Sequence, residues 1–295
     1  MTNILDIANQ IATTTVDQSV AKAGGGGSYV MPEEGLAMLR FVGYVEVGKK
    51  FAKGRVVRGK VIPDKNVDQV WLVFELHGPK YPAKVNEDGT QDPIRMTVKM
   101  NTNYAGLSEL SHTYKLFRRM NYEGKATHFS QLLGNAYIGN IRHDSWEGTK
   151  DGKPHKFERA TFEDKDRNLT IRPPLREVYN EEDGTTTTVP FNVPPALSPL
   201  RLFVWNADEQ LIGKLWDNIY IHKTGDGEYD PNVFQNQIKK AVNFEGSNIY
   251  NYLKAGGMVA DTPPAHTAAS LGLDTPDDDN PPTGKEDPTD PLAGM

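Results

Sequence analysis

Cysteine is absent from the 295 residues. That excludes disulfides, thiolate metal sites and a cysteine nucleophile, and it fits a reducing compartment. No apolar run is long enough to cross a bilayer. The N-terminus lacks the basic, apolar and small-residue succession of a secretory signal, so no membrane association is expected. Catalytic signatures are missing too. There is no His-Glu-x-x-His, no Gly-x-Ser-x-Gly and no dinucleotide-binding glycine fingerprint. The histidines at 77, 112, 128, 143, 155, 222 and 266 show no metal-ligand spacing. Asp277, Asp278 and Asp279 adjoin Pro and Asn, whereas a hard-cation site needs ligands held by fixed backbone. The expectation is a protein that is not an enzyme and uses no cofactor or metal.

Positive charge is scarce only on average. The formal net charge is -6. Residues 261–295 carry eight acidic side chains against Lys285 alone, a net of -7, which leaves +1 for residues 1–260. Residues 40–170 hold 23 basic and 16 acidic residues, a net of +7. A basic region followed by an acidic end is a pattern that whole-chain charge conceals.

Along the chain, Ile4, Leu5, Ile7, Ala8 and Ile11 suit a short helix or a frayed arm, and Gly24 to Gly27 suit a flexible linker. Residues 1–34 are read as an N-terminal arm, open to self-association. Residues 39–47, 69–76, 94–100 and 135–142 read as strands, and residues 157–161 as the return of a polar hairpin. Residues 108–120 read as a helix. Several strands with glycine-rich turns and one interposed helix predict a mainly β fold, a small barrel or sandwich with helical and loop insertions. Residues 172–199 read as an extended connector. Residues 200–206 suggest one more strand, with helical segments near 210–219, 234–238 and 249–253. The expected core is 35–257. Residues 258–295, made largely of Pro, Asp, Gly, Thr and Ala, are expected to be a disordered acidic tail.

The chemistry present is cationic and aromatic. Lys49, Lys50, Lys53, Arg55, Arg58 and Lys60 place six cations in twelve positions, in the expected loop joining the first two barrel strands. Such cations neutralise phosphates and release counterions. Arg118, Arg119, Lys153 and Lys156 extend the candidate groove. A solvated cationic loop is the plain alternative. Binding single strands without base preference also needs flat stacking surfaces. Tyr44 falls opposite the alternating set Leu39, Phe41, Gly43, Val45 and Val47. Phe51 lies inside the basic segment, and Trp71 and Phe74 fall on opposite strand faces. Tyr44, Phe51, Trp71 and Trp146 are the stacking candidates. Asp277, Asp278, Asp279, Asp287, Asp290 and Leu292 form a candidate partner-binding tail, which can also compete for the cationic groove.

Residues 39–47, residues 69–79 and residues 128–143, together with the acidic end, resemble phage-encoded single-stranded DNA-binding proteins. The resemblance implies an oligonucleotide-binding (OB-fold) barrel with an acidic C-terminal tail, acting in the host cytoplasm. It implies non-specific single-stranded DNA binding in DNA replication, recombination or repair, and tail contacts with replication or recombination proteins. Two other readings stay open. A structural virion protein suits the Gly- and Pro-rich segments, and a recombination or annealing accessory protein suits the basic track.

Overall fold

A computed structural model of the chain describes residues 31–57, 60–86, 89–150, 152–179, 184–221 and 230–256. Residues 1–30 of the N-terminal arm, Arg58 and the tail residues Asp277, Asp278, Asp279, Asp287, Asp290 and Leu292 lie outside the described residues. So does the expected disorder of the tail. Glu33 and Glu34, at the end of the arm, accept hydrogen bonds from Tyr81 and Lys80 through their carbonyls and so are tied to the folded core.

The long strand β1 (Gly35–Ala52) organises the fold. It pairs antiparallel with β4 (Lys65–His77), and β4 pairs antiparallel with β7 (Arg95–Thr102). The first part of β1 pairs on its other edge with β8 (Ala136–Lys150), which pairs with β9 (Lys153–Thr161). Past Arg40 that edge passes to β12 (Arg201–Phe203), which runs parallel to β1 at Gly43, Tyr44 and Val45. The strand order is β7-β4-β1-β8-β9, with β12 on β1. Short pairs complete the strands: β2 (Arg55–Val57) with β3 (Lys60–Ile62), β5 (Lys84–Val85) with β6 (Gln91–Asp92), and β10 (Leu175–Tyr179) with β11 (Thr186–Pro190).

This corrects the expected fold class. Among the described residues the outer strands β7 and β9 do not pair, so the sheet stays open. The architecture is mixed α/β, not a mainly β OB-fold barrel. Two features account for the difference. The return segment bridges Arg172 to Ile138 of β8, and β12 takes the β1 edge beyond the point where β8 leaves it.

Helices cover both faces of the central strands. On one side lie α1 (His112–Met120) and a 3-10 turn (Phe129–Leu132). Ser111 caps α1 by accepting the Tyr114 N–H, and Thr113, Leu116 and Met120 form its buried stripe. Leu116, Met120, Phe129 and Leu132 pack on Leu39, Phe41, Leu72, Phe74 and Tyr137. On the other side lie α2 (Glu209–Asn218), α3 (Val233–Lys239) and α4 (Asn248–Ala255). Their Ile212, Trp216, Phe234, Ile238, Ile249 and Leu253 pack on Val42, Val45, Val47, Trp71 and Val73.

Strict alternation along β1 fails at a bulge. The pairing with β4 shifts register between Phe41 and Gly43. An extra residue reverses which side chains face which side. Tyr44 therefore joins Leu39 and Phe41 in one core, while Val45 and Val47 join Val42 in the other. Gly48 (φ +81°) follows, where a Cβ would sit 2.5 Å from the Trp205 ring, so this crossing requires glycine.

The connector before β12 is pinned by charged side chains. The Arg40 guanidinium donates to the Pro194 carbonyl at 2.6 Å, to that of Val193 at 2.5 Å and to that of Gly134 at 2.9 Å. Buried Glu75 accepts the N–H groups of Leu197 at 2.8 Å and Ser198 at 2.6 Å. Glu46 accepts from Trp205 N–H at 2.7 Å and from Tyr44 Oη–H at 2.8 Å. Multiple donors of this kind are what allow a carboxylate to sit inside a core.

Candidate nucleic-acid interface

The sequence-derived cations and rings do not converge on one groove. Lys49 pairs with Asp68 at 3.0 Å, and Lys50 Nζ donates to the Gln237 carbonyl and side chain. Both stand on β1, not in a loop. Lys53 is exposed just after β1. Arg55 and Lys60 belong to the β2–β3 pair, and their side chains lie outside the described ones. Phe51 is exposed beside this hairpin. Arg118 is exposed on the last turn of α1.

Tyr44 and Trp71 are corrected as stacking surfaces. Tyr44 is 5% exposed and lies parallel to Phe129, and its hydroxyl is committed to Glu46. Burial drives its phenol pKa far above the ordinary value. Trp71 is 8% exposed and meets Phe234 of α3 edge to face. No ring face at either position is open to a base. The alternation of β4 does separate Trp71 from Phe74, but the C-terminal helices cover the side on which Trp71 emerges.

A coherent site forms instead on the ribbon of β8 and β9. Beyond Ile141 these strands leave the β1 edge and pair only with each other. The register Lys150↔Lys153 sets every other pair: Trp146 opposite Phe157, Asp144 opposite Arg159, Arg142 opposite Thr161. Tyr137, Gly139 and Ile141 point into the core, so alternation directs Asn140, Arg142, Asp144 and Trp146 to the outer face. The same rule puts Lys153, His155, Phe157 and Arg159 beside them.

On that face the Trp146 and Phe157 rings stack, with centroids 5.5 Å apart and planes 15° apart. The Arg159 guanidinium lies 5.7 Å from the Trp146 ring. His155 meets Phe157 edge to face at 4.7 Å. Both Trp146 and Phe157 are half-buried, which leaves ring surface accessible. Gly148 leaves room for this row, because a Cβ there would come within 2.9 Å of the Phe157 ring. Asp144 balances part of the charge, 3.6 Å from both Arg142 and Arg159.

Of the two ribbon lysines expected to extend the groove, Lys153 shares the aromatic face. Lys156 is on the opposite one, where it pairs with Glu158 at 2.6 Å and holds that carboxyl below the usual range. Arg119 sits at the base of the ribbon and donates to the Leu169 carbonyl. It lines a cleft of about 290 Å3 with Leu36, Asn140, Thr170 and Arg172. Sequence reasoning missed Arg142, Arg159 and Arg172. Counting outward from the turn between Lys150 and Lys153 would have paired Trp146 with Phe157 and brought Arg159 to their side. Nothing local in the sequence signals Arg172, which reaches the cleft through its bridge to Ile138.

Among the described residues no group of three His, Cys, Asp or Glu side chains is placed to hold a metal. No described helix is long and apolar enough to cross a membrane. Comparison with protein families, curated proteins and solved structures finds no match for this chain. The resemblance to phage-encoded single-stranded DNA-binding proteins is therefore corrected. No related family or solved structure supports it, and the open mixed sheet is not the barrel it implied.

Proposed function

We propose that the chain binds single-stranded nucleic acid on the outer face of the β8–β9 ribbon, in the cytoplasm and without catalysing a reaction. This reading rests on the ribbon's own residues and needs no barrel. The observation that carries it is the row Arg159, Trp146, Phe157 and His155, in which two stacked flat rings are flanked by a guanidinium and an imidazole. Rings offer stacking that every base can use, and the cations Arg159, Arg142 and Lys153 suit a phosphate backbone. Arg118, Lys53 and Phe51 lie outside this row and are not assigned to it. A strand held this way is shielded passively, and melting shifts by mass action.

The test is fluorescence anisotropy of labelled oligo-dT at low and moderate salt, with duplex of equal length as competitor. Binding that weakens with salt and resists the duplex is expected. Trp146→Ala is expected to weaken it roughly 5- to 150-fold, the range for loss of one base–ring stack. Absence of binding at micromolar protein, or an unchanged affinity in Trp146→Ala, overturns the proposal.

A further inference from the structure

The cleft at the base of the ribbon has a charge imbalance that the fold does not explain. Its walls contain two guanidinium groups, from Arg119 and Arg172, and no carboxylate. Among the described residues neither arginine has an ion-pair partner. Arg119 spends one N–H on the Leu169 carbonyl, which orients the rest of its fork. The side chain of Asn140 makes no hydrogen bond within the described residues and lines the same space. The Thr170 hydroxyl is already used. Its single O–H is shared between the carbonyls of Phe162 and Asn140, and its oxygen accepts the Asn140 N–H, locking the return segment to β8. Leu36, 46% exposed, supplies an apolar wall.

We infer that this cleft is a binding site for a phosphate monoester, with Arg119 and Arg172 on the phosphate and Leu36 against the sugar. Two unneutralised guanidinium groups match a monoester, which carries about -1.5 to -2 charge at neutral pH, better than an internal diester with its single charge. The volume of about 290 Å3 is at the small end for ligand pockets and suits a sugar-phosphate unit, not a whole dinucleotide. Asn140 and Trp146 share the outer face of β8, six residues and therefore about 20 Å apart. A strand lying on the ribbon can thus present its terminal phosphate to the cleft. To that extent the inference rests on the proposed function, although a free mononucleotide carries the same group.

Anisotropy with oligo-dT bearing a 5′-phosphate, a 3′-phosphate or only hydroxyl ends separates the sources, alongside titration with thymidine monophosphate followed by NMR. One phosphorylated end is expected to bind about tenfold more tightly than the hydroxyl-ended oligomer. The gain should vanish in Arg172→Ala and shrink below about pH 6 as the monoester takes up a proton. Arg172 is an exposed side chain whose contacts with Ile138 are made by backbone, so the variant should melt like the parent. Arg119→Lys, which keeps charge but loses the fork, is expected to retain only part of the gain.

Equal affinity for all ends, together with no shift by thymidine monophosphate, overturns the cleft and leaves the ribbon untouched. Thymidine monophosphate binding that depends on Arg172, with no oligomer binding, supports the cleft as a free-nucleotide site and removes the ribbon reading. Loss of the end preference in Trp146→Ala but not in Arg172→Ala also overturns the cleft.

Discussion

Glu46 accepts the main-chain N–H of Trp205 at 2.7 Å across 159 residues of sequence. It ties the C-terminal helices to β1. Burial holds the Glu46 carboxyl above its ordinary value of 4.5, although its bonds from Trp205 and Tyr44 pull the other way. A carboxyl with a higher pKa in the folded state binds its proton more tightly when folded. Its contribution is therefore full below the unfolded value and is lost as pH rises through the folded one. Glu46→Gln removes that decline. Urea midpoints from about pH 4 to about pH 8 should show the variant gaining on the parent as pH rises. Parallel midpoints would show that Glu46 titrates normally.

Trp71 and Trp146 should separate cleanly by stability. Trp71 is packed between β4 and α3, so Trp71→Ala is expected to cost about 3–5 kcal/mol. Trp146 is half-buried on a two-stranded ribbon and loses chiefly its stack with Phe157, about 1 kcal/mol. Urea denaturation of both variants checks the contrast. Similar costs would mean the ribbon is part of the core.

Arg40→Ala leaves three carbonyls without their charged donor. A loss of about 1–3 kcal/mol is expected, chiefly from the buried Val193 carbonyl left unpaired, because Pro194 is exposed to solvent. Limited proteolysis should then cut near residues 193–198, which the parent protects. Unchanged protection would mean that Glu75 alone holds the connector.

Salt dependence reports how many cations meet phosphates. Each contact contributes about -0.7 to the slope of log affinity against log salt for a single strand. Arg159→Ala and Lys153→Ala are each expected to make the slope shallower by about that amount. Lys156→Ala, on the opposite face, should leave it unchanged. An equal effect at all three positions would point to diffuse attraction and not to a track.

Deleting residues 261–295 removes a net charge of -7. If that segment competes with a bound strand, the truncated chain should bind oligo-dT more tightly at low salt and equally at high salt. Equal affinity at both salts would leave the acidic segment a role in contacting partner proteins instead.

Much of the secondary structure was legible in the sequence. The strand read at residues 69–76 lies within β4, and the helix read at 210–219 matches α2, although Leu211 of its expected apolar face is exposed and Ile212 is buried instead. Ser111 and Asp208 mark where α1 and α2 begin through side-chain caps. The strand faces were less legible. The bulge between Phe41 and Gly43 reverses inside and outside, and period-two reasoning carried past it sends Tyr44 to the wrong side.

The sequence by itself located the long strands and the helices, because periodicity acts over a few residues, but residues 172–199, read as an extended connector, hold the strands β10 and β11, which pair with each other. The sequence also determined that cations and aromatics are abundant between residues 40 and 170. Tertiary structure alone decided which of them face solvent together. Trp71 is buried because α3, more than 150 residues later, covers β4. Trp146 stays accessible because the β8–β9 ribbon extends past the edge of β1. Arg119 and Arg172 share a cleft only because a return strand bridges to Ile138. Burial and convergence depend on contacts distant in sequence, and no local pattern encodes them.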